Sequence, residues 1–254
     1  MTFQKTFGTM KPMSTPYELY YWPAIQGRGE FIRLALEESQ TPYLDVARSP
    51  EGGVAALQRL LHSEENAVRP FAPPFLKVGE VLLSQVANIL HFLGPRLGLV
   101  PSDPESQHLA LQLQLTIADF ISEIHDTHHP ISTALYYEEQ RAEAKQRTGL
   151  FLQHRLPKFL GYFEGTLRRQ LGLGAEYLLG GFSYVDLSLF QTLEGLAYAF
   201  PKAFEAVRAT IPLSLALAAK IEARPNIAAY LASPRRLPMT EHDLFRRYPE
   251  LDLE

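Results

Sequence analysis

The strongest constraint on the fold of this chain is a change of hydrophobic period near residue 95. Before that point, short strand-like runs alternate with runs of helical spacing; beyond it every strong pattern is helical. Tyr17–Trp22 is aromatic, lies between Pro16 and Pro23, and reads as a strand. Gly27-Arg28-Gly29 opens a helix in which Phe31, Leu34, Ala35 and Leu36 recur at helical spacing. Pro42–Ala47 reads as a second strand and Val54–His62 as a short helix carrying Leu57, Leu60 and Leu61. Phe75–Val78 and Val81–Leu83 flank Gly79-Glu80, a tight turn suited to a hairpin. A helix follows from Ser84 to about Leu93.

The predicted order is strand, helix, strand, helix, strand, strand, helix. A βαβ unit followed by a ββα unit predicts a thioredoxin-like α/β domain built on a mixed four-stranded sheet, because connection rules leave few rivals. Pro and Gly concentrate between Gly94 and Pro104 and mark a linker. Beyond it, Ser106–His125, Tyr136–Leu171, Tyr184–Phe200, Pro212–Arg224 and Ile227–Leu231 predict about five helices, an all-α bundle. The expected division is a leader without fixed structure over 1–15, the α/β domain over 16–96 and the all-helical domain over 105–254. A chain of 254 residues is long enough for two such cores.

A net charge of −4 and no Lys/Arg-rich run argue against a nucleic-acid or anionic-membrane surface. No apolar run approaches the ~20 residues that span a bilayer, and the first sixteen residues lack the apolar region of a secretory signal. The chain has no cysteine, which excludes disulfides, thiolate metal sites and a protein thiol nucleophile. A cytoplasmic protein is the default expectation.

Five segments carry a family resemblance. They are Tyr17-Glu18-Leu19-Tyr20-Tyr21-Trp22-Pro23 with Gly27-Arg28-Gly29-Glu30-Phe31-Ile32-Arg33; Pro73-Pro74-Phe75-Leu76-Lys77-Val78-Gly79; Ser84-Gln85-Val86-Ala87-Asn88-Ile89; Gly180-Gly181-Phe182-Ser183-Tyr184-Val185-Asp186; and Arg224-Pro225-Asn226-Ile227. In this order they resemble the cytosolic glutathione S-transferase superfamily, and among its classes the tyrosine-type ones of sigma, mu and pi pattern. The resemblance implies a homodimeric, cytoplasmic enzyme that uses glutathione as co-substrate, without a metal, and conjugates it to a hydrophobic small-molecule electrophile. It implies Tyr21 as the catalytic hydroxyl, and a glutathione site of Pro73, a cis Pro74, Ser84, Gln85, Val86 and Asn88. A cation for the glycine carboxylate would come from Arg48, Arg59 or Lys77. The second-substrate pocket would take Trp22, Ile25, His125, His129, Tyr136 and Tyr137. Two alternatives share the scaffold: a catalytically silent binding or structural relative, and a specialised glutathione-dependent isomerase.

The chemistry requires an ionised thiol. A free thiol has a pKa of ~8.5, and a drop of ~2 units corresponds to about 3 kcal/mol. A hydrogen bond donated to the charged sulfur contributes roughly 1.5–3 kcal/mol and a helix N-terminus about 0.3–1, so a tyrosine hydroxyl plus the helix opened by Gly27-Arg28-Gly29 meet the need together. The gap from Tyr21 to Gly27 is one residue longer than in the tyrosine classes. An extra residue within Pro23–Gln26 keeps Tyr21 in place; a shift inside the strand would put Trp22 there instead. Two departures weaken the implied glutathione site: Pro73 has no N–H, and Val86 stands where relatives carry a serine, leaving Ser84 to cap the helix or Asn88 to assist. His125, His128 and His129 fall at i, i+3 and i+4, but Pro130 disfavours helical geometry at His129. The expectation is therefore a kinked helix lining the cleft, with no metal. Ser183-Tyr184-Val185-Asp186 predicts a helix cap with a folding role.

Overall fold

Alternation along β1 (Tyr17–Tyr20) assigns its side chains to two different cores. In this computed structural model, which describes residues 16–253, Leu19 is buried with Ile32, Leu36, Leu76, Ile89 and Leu93, between the sheet and helices α1 (Gly29–Glu38) and α3 (Val86–Arg96). Tyr20 faces the other way, with Val46, Phe75 and Leu57 of α2 (Gly53–Leu61). The leader expected over 1–15 lies outside the described residues. β1 pairs parallel with β2 (Tyr43–Asp45) and antiparallel with β3 (Phe75–Val78), which pairs antiparallel with β4 (Val81–Ser84). The sheet order is β2-β1-β3-β4, the mixed four-stranded sheet predicted. Gly79 turns the β3–β4 hairpin at φ 59°, a conformation that costs glycine little.

The helical half comprises α4 (Pro104–Asp126), α5 (Arg141–Leu150), α6 (Leu156–Gly172), α7 (Tyr184–Ala199), α8 (Pro201–Val207), α9 (Pro212–Glu222) and α10 (Pro225–Leu231). α4 starts two residues before the predicted Ser106. Asp103 caps it by accepting the Ser106 N–H at 2.8 Å, and Pro104 takes the first turn, where its missing N–H costs nothing. The predicted cap of α7 is present: the Asp186 carboxylate accepts the Ser183 N–H at 2.7 Å and the Leu178 N–H at 3.0 Å. α7 is buried on nearly every face and forms the axis of the main core. That core also takes Phe31, Leu34 and Ala35 of α1 and Leu90 of α3, so the two halves share apolar packing.

The helix predicted over Tyr136–Leu171 needs correction. Tyr136 is extended, Tyr137–Glu139 is a 3-10 turn, and a π-helical turn over Phe151–Arg155 separates α5 from α6. Pro157, in the first turn of α6, cannot donate and would crowd the preceding turn of a regular helix; the wider π turn relieves this. The sequence predicts no helix between Tyr184–Phe200 and Pro212, but Pro201 opens α8. Its N–H groups at Lys202 and Ala203 are accepted by Asp252 at 2.8 and 3.0 Å. No helix among the described residues is long and apolar enough to cross a membrane.

Candidate functional site

The sheet register gathers the predicted residues at one end of the molecule. Tyr20 pairs with Phe75 and Phe75 with Ser84. The residues just beyond these positions are Tyr21, Pro73-Pro74 and Gln85-Val86, which therefore share one end of the sheet. Tyr20 itself is a core residue: its ring stacks on Phe75 at 4.8 Å and its hydroxyl donates to Glu18 at 2.6 Å. Trp22 is 36 % exposed and carries no hydroxyl. Tyr21 instead turns toward the start of α1, where its Oη accepts the Arg28 N–H at 2.9 Å.

The Gly27-Arg28-Gly29 spacing has a steric reason. A Cβ on Gly27 would lie 2.1 Å from Tyr21 Oη, and one on Gly29 would lie 2.7 Å from the Tyr21 ring. Two glycines thus form the slot for the tyrosine. Burial holds the Tyr21 hydroxyl above the ordinary tyrosine range, opposed by the Arg28 N–H, so the group is protonated at neutral pH. Among the described residues no acceptor receives its proton.

The N-terminus of α1 is less available than predicted. Asp243 accepts the Gln26 N–H at 3.0 Å and the Gly27 N–H at 2.7 Å, and Tyr21 takes the next one. A carboxylate already occupies this positive end, so its expected contribution to a bound thiolate is diminished. The loop is further tied by Gln26, whose amide donates to the Leu237 carbonyl and accepts from Gln191. Beneath it the fully buried Arg33 pairs with Glu30 at 3.2 Å and Asp45 at 2.7 Å, and Glu30 also accepts from Tyr230 and Arg236. Buried charges of this kind are tolerable because each is paired.

The Pro73-Pro74 bond is cis. Gln85 is exposed and sits at φ 70°, an uncommon conformation for a residue with a Cβ, directly before α3. No side chain caps α3, so Ser84 does not take the capping role considered for it; Asn88 instead donates to the Ser84 carbonyl at 3.2 Å. Val86 is half-buried against the main core.

The three candidate cations separate clearly. Arg48 donates to the Arg235 and Ile25 carbonyls at 3.0 and 3.1 Å, so its fork holds the loop to the C-terminal segment. It is corrected from a ligand-binding cation to a strut. Arg59 is exposed on α2, close enough to act electrostatically on Tyr20, whereas Lys77 lies on β3 in register with Glu18 of β1, farther along the sheet.

The histidines do converge. α4 ends at Asp126 rather than kinking, and Thr127 stays in the helical region at φ −62°, ψ −29°, so the rings of His125, His128 and His129 still meet, with centroids 5.0 Å apart in every pair. Pro130 acts only after the third ring is placed. Tyr136 and Tyr137 do not form the pocket wall expected of them. Tyr136 is 77 % exposed; Tyr137 is buried, stacked on Tyr248 at 3.8 Å, and donates to Glu250. An open groove of about 610 Å³ lies along the outer edge of β2, lined by Tyr43, Arg48, Asn226 and Arg235. It contains none of Tyr21, Pro74 and Gln85.

The C-terminal segment after α10 is what sequence reasoning missed. Leu244 and Phe245 are buried in the main core, and Gly195 lacks a Cβ because one would meet the Phe245 ring at 2.4 Å. The signal was the Leu-Phe pair inside a polar stretch, too short to show a period.

A thioredoxin-like sheet with a cis proline at one end, joined to a helical half, defines the fold. The family description "Glutathione S-transferase, C-terminal domain" matches residues 125–234. A glutathione S-transferase of Plasmodium yoelii yoelii is 26% identical over 82% of this chain and 90% of its own length. Glutathione S-transferase P of Bos taurus is 26% identical over 87% of this chain and 94% of its own. In fold, the chain is similar to prostaglandin synthase D of Nilaparvata lugens, with a TM-score of 0.64 at 21% identity over 88% of this chain and all of that one. NaGST-2 gives 0.62 at 21% identity, over 89% and 98%. Over residues 125–234 the chain matches the glutathione S-transferase C-terminal domain, and along most of its length it is similar to glutathione S-transferases in sequence and fold.

Proposed function

We propose that this protein is a glutathione transferase that ionises the glutathione thiol and directs it at a hydrophobic electrophile. The observation that carries this reading is Tyr21: a buried, protonated hydroxyl, fixed by the Arg28 N–H and with its own proton unclaimed, at the end of the sheet where cis-Pro74 and Gln85 meet. Its O–H donates to the sulfur. The thiol proton leaves to solvent, and the thiolate forms the new bond while the electrophile's leaving group departs or its π bond accepts the electron pair. The donated bond supplies roughly 1.5–3 kcal/mol, most of the ~3 required, and so carries more of the task because Asp243 occupies the α1 terminus.

The peptide part is held by main chain more than by side chain. The Pro73 carbonyl accepts the cysteinyl N–H of glutathione, and the uncapped start of α3 at Val86 offers N–H groups and a favourable dipole to the γ-glutamyl carboxylate. Gln85, Ser84 and Asn88 border that end, and Arg59 is the cation for the glycine carboxylate. Trp22, Ile25, His125 and His129 border the second-substrate side. A homodimer in the cytoplasm, without nucleic-acid or membrane partners, completes the reading.

Pro73 and Val86 each remove one contact to glutathione and favour the silent-relative alternative. Retention on immobilised glutathione, elution by free glutathione and turnover of an activated aryl halide support the enzyme. Retention without turnover of any aryl halide, epoxide or enone, or no retention at all, contradicts it.

A further inference from the structure

We propose that His125, His128 and His129 bind one transition-metal dication of the zinc class, with a fourth coordination position open to an exogenous anion. One nitrogen from each ring lies within 4.8 Å of the others. Tetrahedral coordination with Zn–N bonds of 2.0–2.1 Å sets ligand nitrogens ~3.3 Å apart, so the rings must draw together by about 1.5 Å. His125 and His129 are only partly buried, at the end of a helix and beyond it, and torsion about their side chains supplies that movement.

The outer contacts are arranged as they are around metal-bound imidazoles. His128 Nε2 lies 3.1 Å from the Leu244 carbonyl and His129 Nδ1 lies 3.1 Å from the Leu135 carbonyl. The Leu244 carbonyl takes the His128 N–H and leaves its Nδ1 with a lone pair, the second-shell pattern that orients histidine ligands, while the Gln140 amide nitrogen lies 3.3 Å from His129 Nδ1 and donates to the Leu135 carbonyl at 3.1 Å. His128 is 1 % exposed, yet its Nδ1 has no partner at all. A buried acceptor is rarely left so, and a metal ion would satisfy it. Imidazole donors suit zinc, copper and nickel.

Arg28 and Arg246 are the charged groups that face the cluster, and both disfavour added positive charge. They also define the fourth ligand: three neutral imidazoles and two guanidinium groups leave the ion's charge unbalanced, which selects an anion such as hydroxide, thiolate or carboxylate there. The site does not depend on the transferase reading, and a silent relative would hold the same metal.

The test uses full-length protein without a polyhistidine tag, dialysed against chelator and titrated with Co2+ and then Zn2+. The expected result is one Co2+ per chain with the intense visible d–d absorption of a tetrahedral site, displaced by equimolar Zn2+. The double variant His125→Gln/His129→Gln, folded by circular dichroism, should lose that absorption and weaken Zn2+ binding at least a hundredfold. His91→Gln/His108→Gln, at the other histidine pair, should retain both. Because His128 is buried, its variant is not needed for the conclusion. An octahedral Co2+ spectrum in the parent, no stoichiometric binding, or undiminished Zn2+ affinity in the 125/129 double variant overturns the proposal.

Discussion

Asp243→Ala tests whether the C-terminal segment builds the site or merely lies over it. Its carboxylate accepts N–H groups from Gln26, Gly27 and Leu244 at 3.0, 2.7 and 2.6 Å, and the residue is 3 % exposed. Truncation strands the Gln26 and Gly27 donors in a buried position. Each stranded donor costs about 1–3 kcal/mol, and water entering the vacated space recovers part of the total. A net loss of about 3 kcal/mol follows, which for a chain of this size lowers Tm by roughly 6–12 °C. Asp243→Asn should do no better, since its NH2 would face an N–H in place of an acceptor. Thermal unfolding followed by circular dichroism at neutral pH, alongside the rate of conjugation, gives both readouts. The rate should also fall, because the Arg28 N–H that fixes Tyr21 directly follows the latched pair. Melting of Asp243→Ala within about 2 °C of the parent would refute the reasoning, since it would mean these donors find water at no cost.

Val86→Ser should tighten glutathione binding by about tenfold or more, the effect of one hydrogen bond to a carboxylate at roughly 1.5–3 kcal/mol, measured by calorimetry. Arg59→Ala should raise the glutathione Kd with little change in Tm, whereas Arg48→Ala should lower Tm by detaching the segment at Arg235, as thermal shift and calorimetry together will report. The pH profile of kcat/KM should rise through the thiol titration and stay level to about pH 9.5. Tyr21, whose burial raises it above 10.0, keeps its donor proton over that range, and an alkaline decline there would count against it.

The sheet was legible because its strands are short, aromatic or β-branched and punctuated by Pro and Gly, and the cis bond at Pro74 because Pro-Pro offers a cheap one. The placement of the main-chain candidates was legible for the same reason: Tyr21 and Gln85 sit one residue beyond a strand end and Pro74 one residue before a strand start. What escaped was tertiary. Arg48 reads as a free cation in sequence, and only the arrival of Arg235 from the far end of the chain turns it into a strut. Asp243 gives no local sign that it will cap a loop 216 residues away. Pro130 reads as a helix breaker at His129, but the helical conformation of Thr127 sets the three rings together before it. Tyr136 and Tyr137 are equivalent in sequence; the stacking of Tyr248 on one alone makes them different.

The central claim is that Tyr21 donates a hydrogen bond to the glutathione sulfur. The most direct measurement is the thiol pKa in the binary complex, followed by thiolate ultraviolet absorbance in the parent and in Tyr21→Phe. The account predicts a parent value about 2 units below the ~8.5 of a free thiol, and a rise of roughly 1–2 units in Tyr21→Phe, equivalent to the 1.5–3 kcal/mol of the lost bond. Glutathione should bind nearly as well to the variant while conjugation falls in proportion. A thiol pKa unchanged by Tyr21→Phe, with the variant still saturated by glutathione, would contradict the account.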